Sequence, residues 1–152
     1  MKVCGITTED DALLAVALGA DALGFVFASG SPRQVRAKEV GPIIRRLPPG
    51  QPTVGVFRDE RRERVVEIVH SIGLSGAQLH GREPASEVAW IAERVPFVIQ
   101  AFRAGDPSLA VSSSDDTGGP LPLRQKITAD GKDKIIKLGF VPDAPAKTEE
   151  KK

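Results

Sequence analysis

Two hydrophobic rhythms alternate along the first 102 residues. Short runs that are apolar at nearly every position occupy residues 22–27, 53–57 and 97–102, a still shorter one starts the chain at Val3, and Gly76 to His80 reads as a further strand with Gln78 and His80 alternating with Leu79. Between them, apolar residues recur every three or four positions: Val40, Ile43, Ile44 and Leu47; Val65, Ile68, Val69 and Ile72; Val88, Ile91, Ala92 and Val95. The first rhythm suits a strand covered on both faces, and the second is the stripe of a surface helix. Ahead of them, residues 8–18 read as a helix with Leu13, Ala15, Val16 and Ala17 as its apolar surface. Gly19, Pro48-Pro49-Gly50 and Gly73 stop the first three helices. Strand, helix, strand with short links predicts a parallel α/β sheet with right-handed crossovers.

The links are not equivalent. Those that follow strands carry Cys4, Ser31, Arg33, Asp59, His80 and Arg103, whereas those that follow helices are glycine and proline punctuation. One end of the sheet is dressed for chemistry, which favours a (β/α) barrel-type unit over a doubly wound sheet. No GxGxxG follows the first strand. The rhythm stops after Arg103. Residues 104–122 are rich in Ser, Asp, Gly and Pro, residues 134–141 could form one late strand, and 144–152 read as a disordered charged tail. The chain therefore divides into a barrel-like part, 1–103, and an irregular part, 104–152, with no amphipathic helix visible between Phe102 and Lys134.

At 152 residues, 41% hydrophobic, the chain is the size of one ordinary domain. A net charge of +1 gives no reason to expect nucleic acid or an anionic membrane as partner. A single cysteine excludes an internal disulfide. No apolar run approaches membrane-spanning length, no basic-then-apolar leader is seen, and a reducing cytoplasm is the expected location.

The first six-residue motif, Lys2-Val3-Cys4-Gly5-Ile6-Thr7, reads as a strand end, a tight turn and a capped helix start before Glu9, Asp10 and Asp11. It places the lone thiol at the carboxyl end of a strand, facing a helix N-terminus, where a thiol can serve as base or nucleophile; a small buried apolar cysteine is the alternative. Arg33, in Ser31-Pro32-Arg33, could pair bidentately with a carboxylate or phosphate. Gln78 and His80 share one face of their strand and need partners, structural or ligand. Asp59 reads as a helix N-cap or first-turn acid, and Gly118-Gly119 as a weak anion-binding turn.

Five segments in order, Lys2 to Thr7, Gly19 to Phe27, Ser31-Pro32-Arg33, Val54 to Phe57 and Gln78 to Gly81, resemble the N-terminal part of phosphoribosylanthranilate isomerases. The resemblance implies a (βα)8 TIM barrel, here reduced to about five βα units, and an Amadori rearrangement of a phosphosugar without metal or cofactor. It assigns Cys4 as general base and Arg33 to the anthranilate end of the substrate, with Gln78 and His80 lining the pocket. The family's general acid is an aspartate at the end of strand six; Asp116, beside Asp115 and ahead of Thr117-Gly118-Gly119, is the position on offer for it. The strand and helix that precede that aspartate, and the family's phosphate-binding loops, are not recognisable, as a truncated gene or shifted reading frame would explain. Five parallel strands cannot close, so strands one and five leave edges that either the last fifty residues patch, or a second copy covers as a homodimer through an open edge, or the protein is marginal. A catalytically inactive half-barrel that binds or self-assembles is the alternative.

Overall fold

The computed structural model describes residues 1–102 and, beyond them, the backbone of two strands, Gln125–Ala129 and Lys132–Gly139. The order is β1 (Lys2–Cys4), α1 (Glu9–Ala17), β2 (Ala22–Val26), α2 (Ala37–Arg46), β3 (Thr53–Phe57), α3 (Arg62–Ile72), β4 (Gly76–Leu79), α4 (Ala85–Ala92) and β5 (Val98–Phe102), then β6 (Gln125–Ala129) and β7 (Lys132–Gly139). One sheet holds all seven strands in the order β1-β2-β3-β4-β5-β7-β6. β1 to β5 are parallel in sequence order, and α1 to α4 follow one another side by side. This is half of a (βα) barrel.

Each helix has a local reason to begin or end where it does. Thr8 caps α1, its hydroxyl accepting from the Asp11 N–H at 3.2 Å, ahead of Glu9, Asp10 and Asp11 in the first turn. Gly73 ends α3 in the left-handed conformation (φ 73°), which costs glycine nothing. α2 and α3 pack side by side, and a Cβ at Gly41 would meet Ile72 at 3.4 Å, an ordinary van der Waals distance.

The core lies between sheet and helices. Leu23 and Phe25 of β2, Phe57 of β3, and Ala77 and Leu79 of β4 turn into it, and Val40, Val65, Val69, Val88 and Ile91 come down from the helices. Alternation sends the other residues of each strand to the opposite face.

Two expectations need correction. Leu13 and Ala17 are exposed, as are Leu14 and Leu18; the buried surface of α1 is Ala12 and Ala15. The described residues place α2 beside α1 and no helix on its other side, so half its circumference has nothing to bury against. The fifth strand starts at Val98, after Pro96 and Phe97. The edge of β5 is covered from within the chain, since β7 pairs with it in parallel from Val98↔Ile135 to Phe102↔Gly139. This is the late strand expected at 134–141, set two residues earlier, and β6 pairs antiparallel with it. The other expectations for 104–152, including the charged tail, lie outside the described residues.

Leu23 is fully buried at the centre of this layer. Leu23→Ala is expected to lower unfolding free energy by about 2–5 kcal/mol through lost transfer energy plus a cavity, read from the urea midpoint. An unchanged midpoint would contradict the assignment of β2's core face.

Candidate functional site at the carboxyl ends of the strands

β1 builds the floor of the site. Val3 packs towards the core, so Lys2 and Cys4 stand on the other, open face of the sheet. Cys4 is opposite Gly24 in the β1–β2 register, and its thiol lies over that glycine: a Cβ at position 24 would sit 2.7 Å from Sγ. The bare backbone at Gly24 makes room for the thiol. Cys4 is exposed, not sealed among aliphatic side chains.

The turn after β1 brings in Arg33. Gly5 takes φ 85°, and its N–H and that of Ile6 both donate to Gly24 O, at 2.9 and 3.1 Å. The Arg33 stem crosses this turn; a Cβ on Gly5 would lie 2.6 Å from Arg33 Cδ and 3.0 Å from Nη1. Glycine at position 5 thus serves both the turn and the close approach. The loop that carries Arg33 is held at both ends. Its N–H donates to Ser31 Oγ at 3.2 Å, and the Val35 N–H returns to Val26 O at 2.9 Å. The guanidinium forms no ion pair among the described residues.

β4 supplies the facing wall. Gln78 lies opposite Val56 of β3 and shares its face. Lys2 Nζ donates to Gln78 Oε1, across the two intervening strands. On a flat sheet those strands would be about 14 Å apart, so the bond reports the curl of the sheet around its open face. Half-burial of Lys2 lowers its pKa from 10.5 by desolvating the ammonium, while the charge of Cys4 acts in the opposite direction. His80 lies one residue beyond β4, exposed, with its N–H on Phe57 O at 2.9 Å.

Behind His80 a carboxylate braces two loops. Glu83, buried, accepts the Asp59 N–H at 3.0 Å and the Gly81 N–H at 2.9 Å. Asp59 Oδ1 in turn accepts the Arg82 N–H at 2.8 Å. Asp59 is thus not the N-cap of α3, a place taken by Arg61; it sits before the helix with φ 53° and ties the β3–α3 loop to the β4–α4 loop. A Cβ at Gly81 would collide with Asp59, which is why the motif ends in glycine.

Cys4 and Gln78 thus share one face of the sheet, the Arg33 stem lies over the turn that follows Cys4, and His80 stands one residue beyond β4. Lys2, Gly24 and Glu83 were not singled out from the sequence. Lys2 was legible as the residue two before Cys4; a buried glutamate in a polar loop leaves no such signal. Asp116 lies outside the described residues. Two surface grooves lie elsewhere: one of about 460 Å³ between the ends of α3 and α4, and one of about 240 Å³ outside the Asp59–Glu83 brace. No helix among the described residues is long and apolar enough to cross a membrane.

A parallel sheet with helices on one face and reactive side chains at its carboxyl ends defines a (βα)-barrel unit of the enzyme-like kind. Residues 1–119 match the family model described as N-(5'phosphoribosyl)anthranilate (PRA) isomerase, and the chain belongs to that family. The N-(5'-phosphoribosyl)anthranilate isomerase of Pelobacter propionicus is 45% identical over 71% of this chain and 50% of its own length. The phosphoribosyl anthranilate isomerase of Thermus thermophilus superposes with a TM-score of 0.66 at 44% identity, covering 70% of this chain and 52% of that one. A second structure, of a phosphoribosyl anthranilate isomerase at TM-score 0.65 and 42% identity over 67% of this chain and 52% of its own, is a complex with reduced 1-(o-carboxyphenylamino)-1-deoxyribulose 5-phosphate. The chain spans about half the length of the relatives it matches.

Two outcomes test this geometry. Glu83→Ala leaves two amides without their charged acceptor and is expected to cost about 1.5–3 kcal/mol, measured by chemical denaturation. The lowered pKa of Lys2 means that, below pH 10.5, the unfolded chain binds the proton more tightly than the folded one. The Lys2 contribution therefore opposes folding at neutral pH and fades as pH rises towards 10.5. Lys2→Met is expected to be as stable as the parent or more so at pH 7, with the difference shrinking at high pH. A variant less stable at pH 7 would contradict this.

Proposed function

We propose that this chain carries the base side of a phosphoribosylanthranilate isomerase site. The observation that carries the reading is the packing of the Arg33 stem over Gly5, which puts a cation for a carboxylate over the turn that directly follows Cys4. In this reading Arg33 takes the carboxylate of the anthranilate ring, where a planar guanidinium can bond both oxygens. Gln78 and His80 bind the sugar. Cys4 as thiolate is the base, and Asp116 is the residue assigned to the acid.

The reaction then runs as follows. The acid gives its proton to the ribofuranose ring oxygen as the C1–O bond breaks, and the nitrogen lone pair forms a C1=N iminium. Cys4 removes the proton from C2. The released electron pair forms the C1=C2 bond and neutralises the iminium. Loss of the enol proton and protonation at C1 leave a ketone at C2 and an amine at C1. C2 is oxidised and C1 reduced by the same two electrons, so no external reductant is needed. The product is 1-(2-carboxyphenylamino)-1-deoxyribulose 5-phosphate, an intermediate towards tryptophan.

A non-catalytic half-barrel that self-assembles is the second reading. It is favoured by one feature: among the described residues β1 bonds only to β2, and the helix after it exposes Leu13, Leu14 and Leu18. A homodimer through an open edge would use this side or the outer edge of β6, since β7 occupies the side of β5.

Turnover of the substrate, followed by loss of its fluorescence, separates the two. The catalytic reading predicts measurable turnover that falls by about 10²–10⁴-fold in Cys4→Ala, the usual loss for a general base. No turnover above background, or an unaffected Cys4→Ala, would overturn it; a concentration-dependent dimer on gel filtration without turnover would establish the second.

A further inference from the structure

We propose that Lys2 is a positioning residue that fixes the carboxamide of Gln78 so that position 78 offers a hydrogen-bond donor, not an acceptor, to the ligand. This rests on the isomerase reading for the identity of that ligand, but not for the orientation of the amide.

A lysine ammonium carries three donors and no acceptor, and a glutamine carboxamide has one oxygen that accepts and one NH₂ that only donates. An amide is free to turn end for end unless a neighbour discriminates between its ends. Here Lys2 Nζ reaches Gln78 Oε1 from three strands away. The ammonium can hold only the oxygen, so the NH₂ must point away from β1. Val56, next to Gln78 on the same face, offers it no polar side chain, and among the described residues no other side-chain bond involves Gln78. The donor is left for something bound on the open face. A phosphosugar, with hydroxyl and phosphate oxygens to accept, fits a donor there.

Lys2 is placed to do this by the alternation of β1, which puts it on the same face as Cys4 and one step deeper in the sheet. Its partial burial keeps the ammonium on the bridge rather than in bulk water. The bridge also spans the face on which the thiol stands, so the base and the donor are set by two residues of one three-residue strand.

Three variants of the full chain decide the matter. Lys2→Met removes the bridge, Lys2→Arg restores a donor-only cation, and Gln78→Glu keeps a partner for Lys2 while deleting the NH₂. The first readout needs no activity: the side-chain ¹⁵NH₂ resonances of Gln78, assigned by their loss in Gln78→Glu, should move in Lys2→Met and return towards the parent position in Lys2→Arg. The second is steady-state turnover. Lys2→Met and Gln78→Glu should each raise KM roughly tenfold with a smaller change in kcat, as expected for a lost or misdirected hydrogen bond. Lys2→Arg should recover most of the loss. If the bridge were only a brace, Gln78→Glu would strengthen it and leave KM unchanged. That result, or Gln78 resonances indifferent to Lys2→Met, overturns the proposal. A parent chain without turnover overturns the isomerase reading instead, and the NH₂ resonances then decide the role of Lys2 alone.

Discussion

Alternation along β1 is the constraint on which the site depends. With Val3 committed to the helix layer, Lys2 and Cys4 must both face the open side of the sheet. A slip of one residue would bury the ammonium against aliphatic side chains and turn the thiol into the core. The register is secured from both sides. β1 pairs with β2 over Lys2↔Ala22, Val3↔Leu23 and Cys4↔Gly24, and the Gly5 and Ile6 amides close on Gly24 O immediately afterwards. Gly24 is the point where these requirements meet: its carbonyl anchors the turn, and its missing side chain leaves room for Sγ.

The curl of the sheet turns this local arrangement into a site. Helices cover one face only, and the core between Leu23, Phe25, Phe57, Leu79 and the helix stripes lies on the convex side of the curled sheet. The opposite face becomes concave, and side chains on β1 and β4 come within reach of one another. The loops at the carboxyl ends are then fastened to one another as well as to the sheet. Arg58 Nη2 donates to Ser29 O at 3.2 Å, and Glu83 and Asp59 knit the next pair of loops together. Such fastening keeps Arg33 and His80 at fixed places on loops that would otherwise be free to wander.

The strands and helices of the first hundred residues were legible because their two hydrophobic periods differ so clearly. Cys4, Arg33, Gln78 and His80 were legible because they interrupt that pattern at one end of the sheet. What escaped was tertiary in origin. Leu13 and Ala17 look like core residues by spacing, yet exposure is decided by whether a neighbouring helix is there to meet them. Asp59 looks like a cap, but the capping position falls two residues later and its carboxylate finds a backbone amide on the next loop. β6 gave no sign of itself because its five residues carry one Ile and one Ala among polar neighbours, and pairing with β7 supplies what its own pattern lacks.

If Cys4 is the base of a ligand site formed with Arg33 and Gln78, a bound ligand must cover it. The chain has a single cysteine, so alkylation by iodoacetamide reports that position alone. The rate of Cys4 modification, followed by intact mass with and without reduced 1-(o-carboxyphenylamino)-1-deoxyribulose 5-phosphate, the ligand of the related complex, is the most direct measurement. A rate that falls towards zero as this compound saturates, with the protection lost in Arg33→Ala, is the result expected. Modification at the same rate at every concentration of the compound would contradict the account.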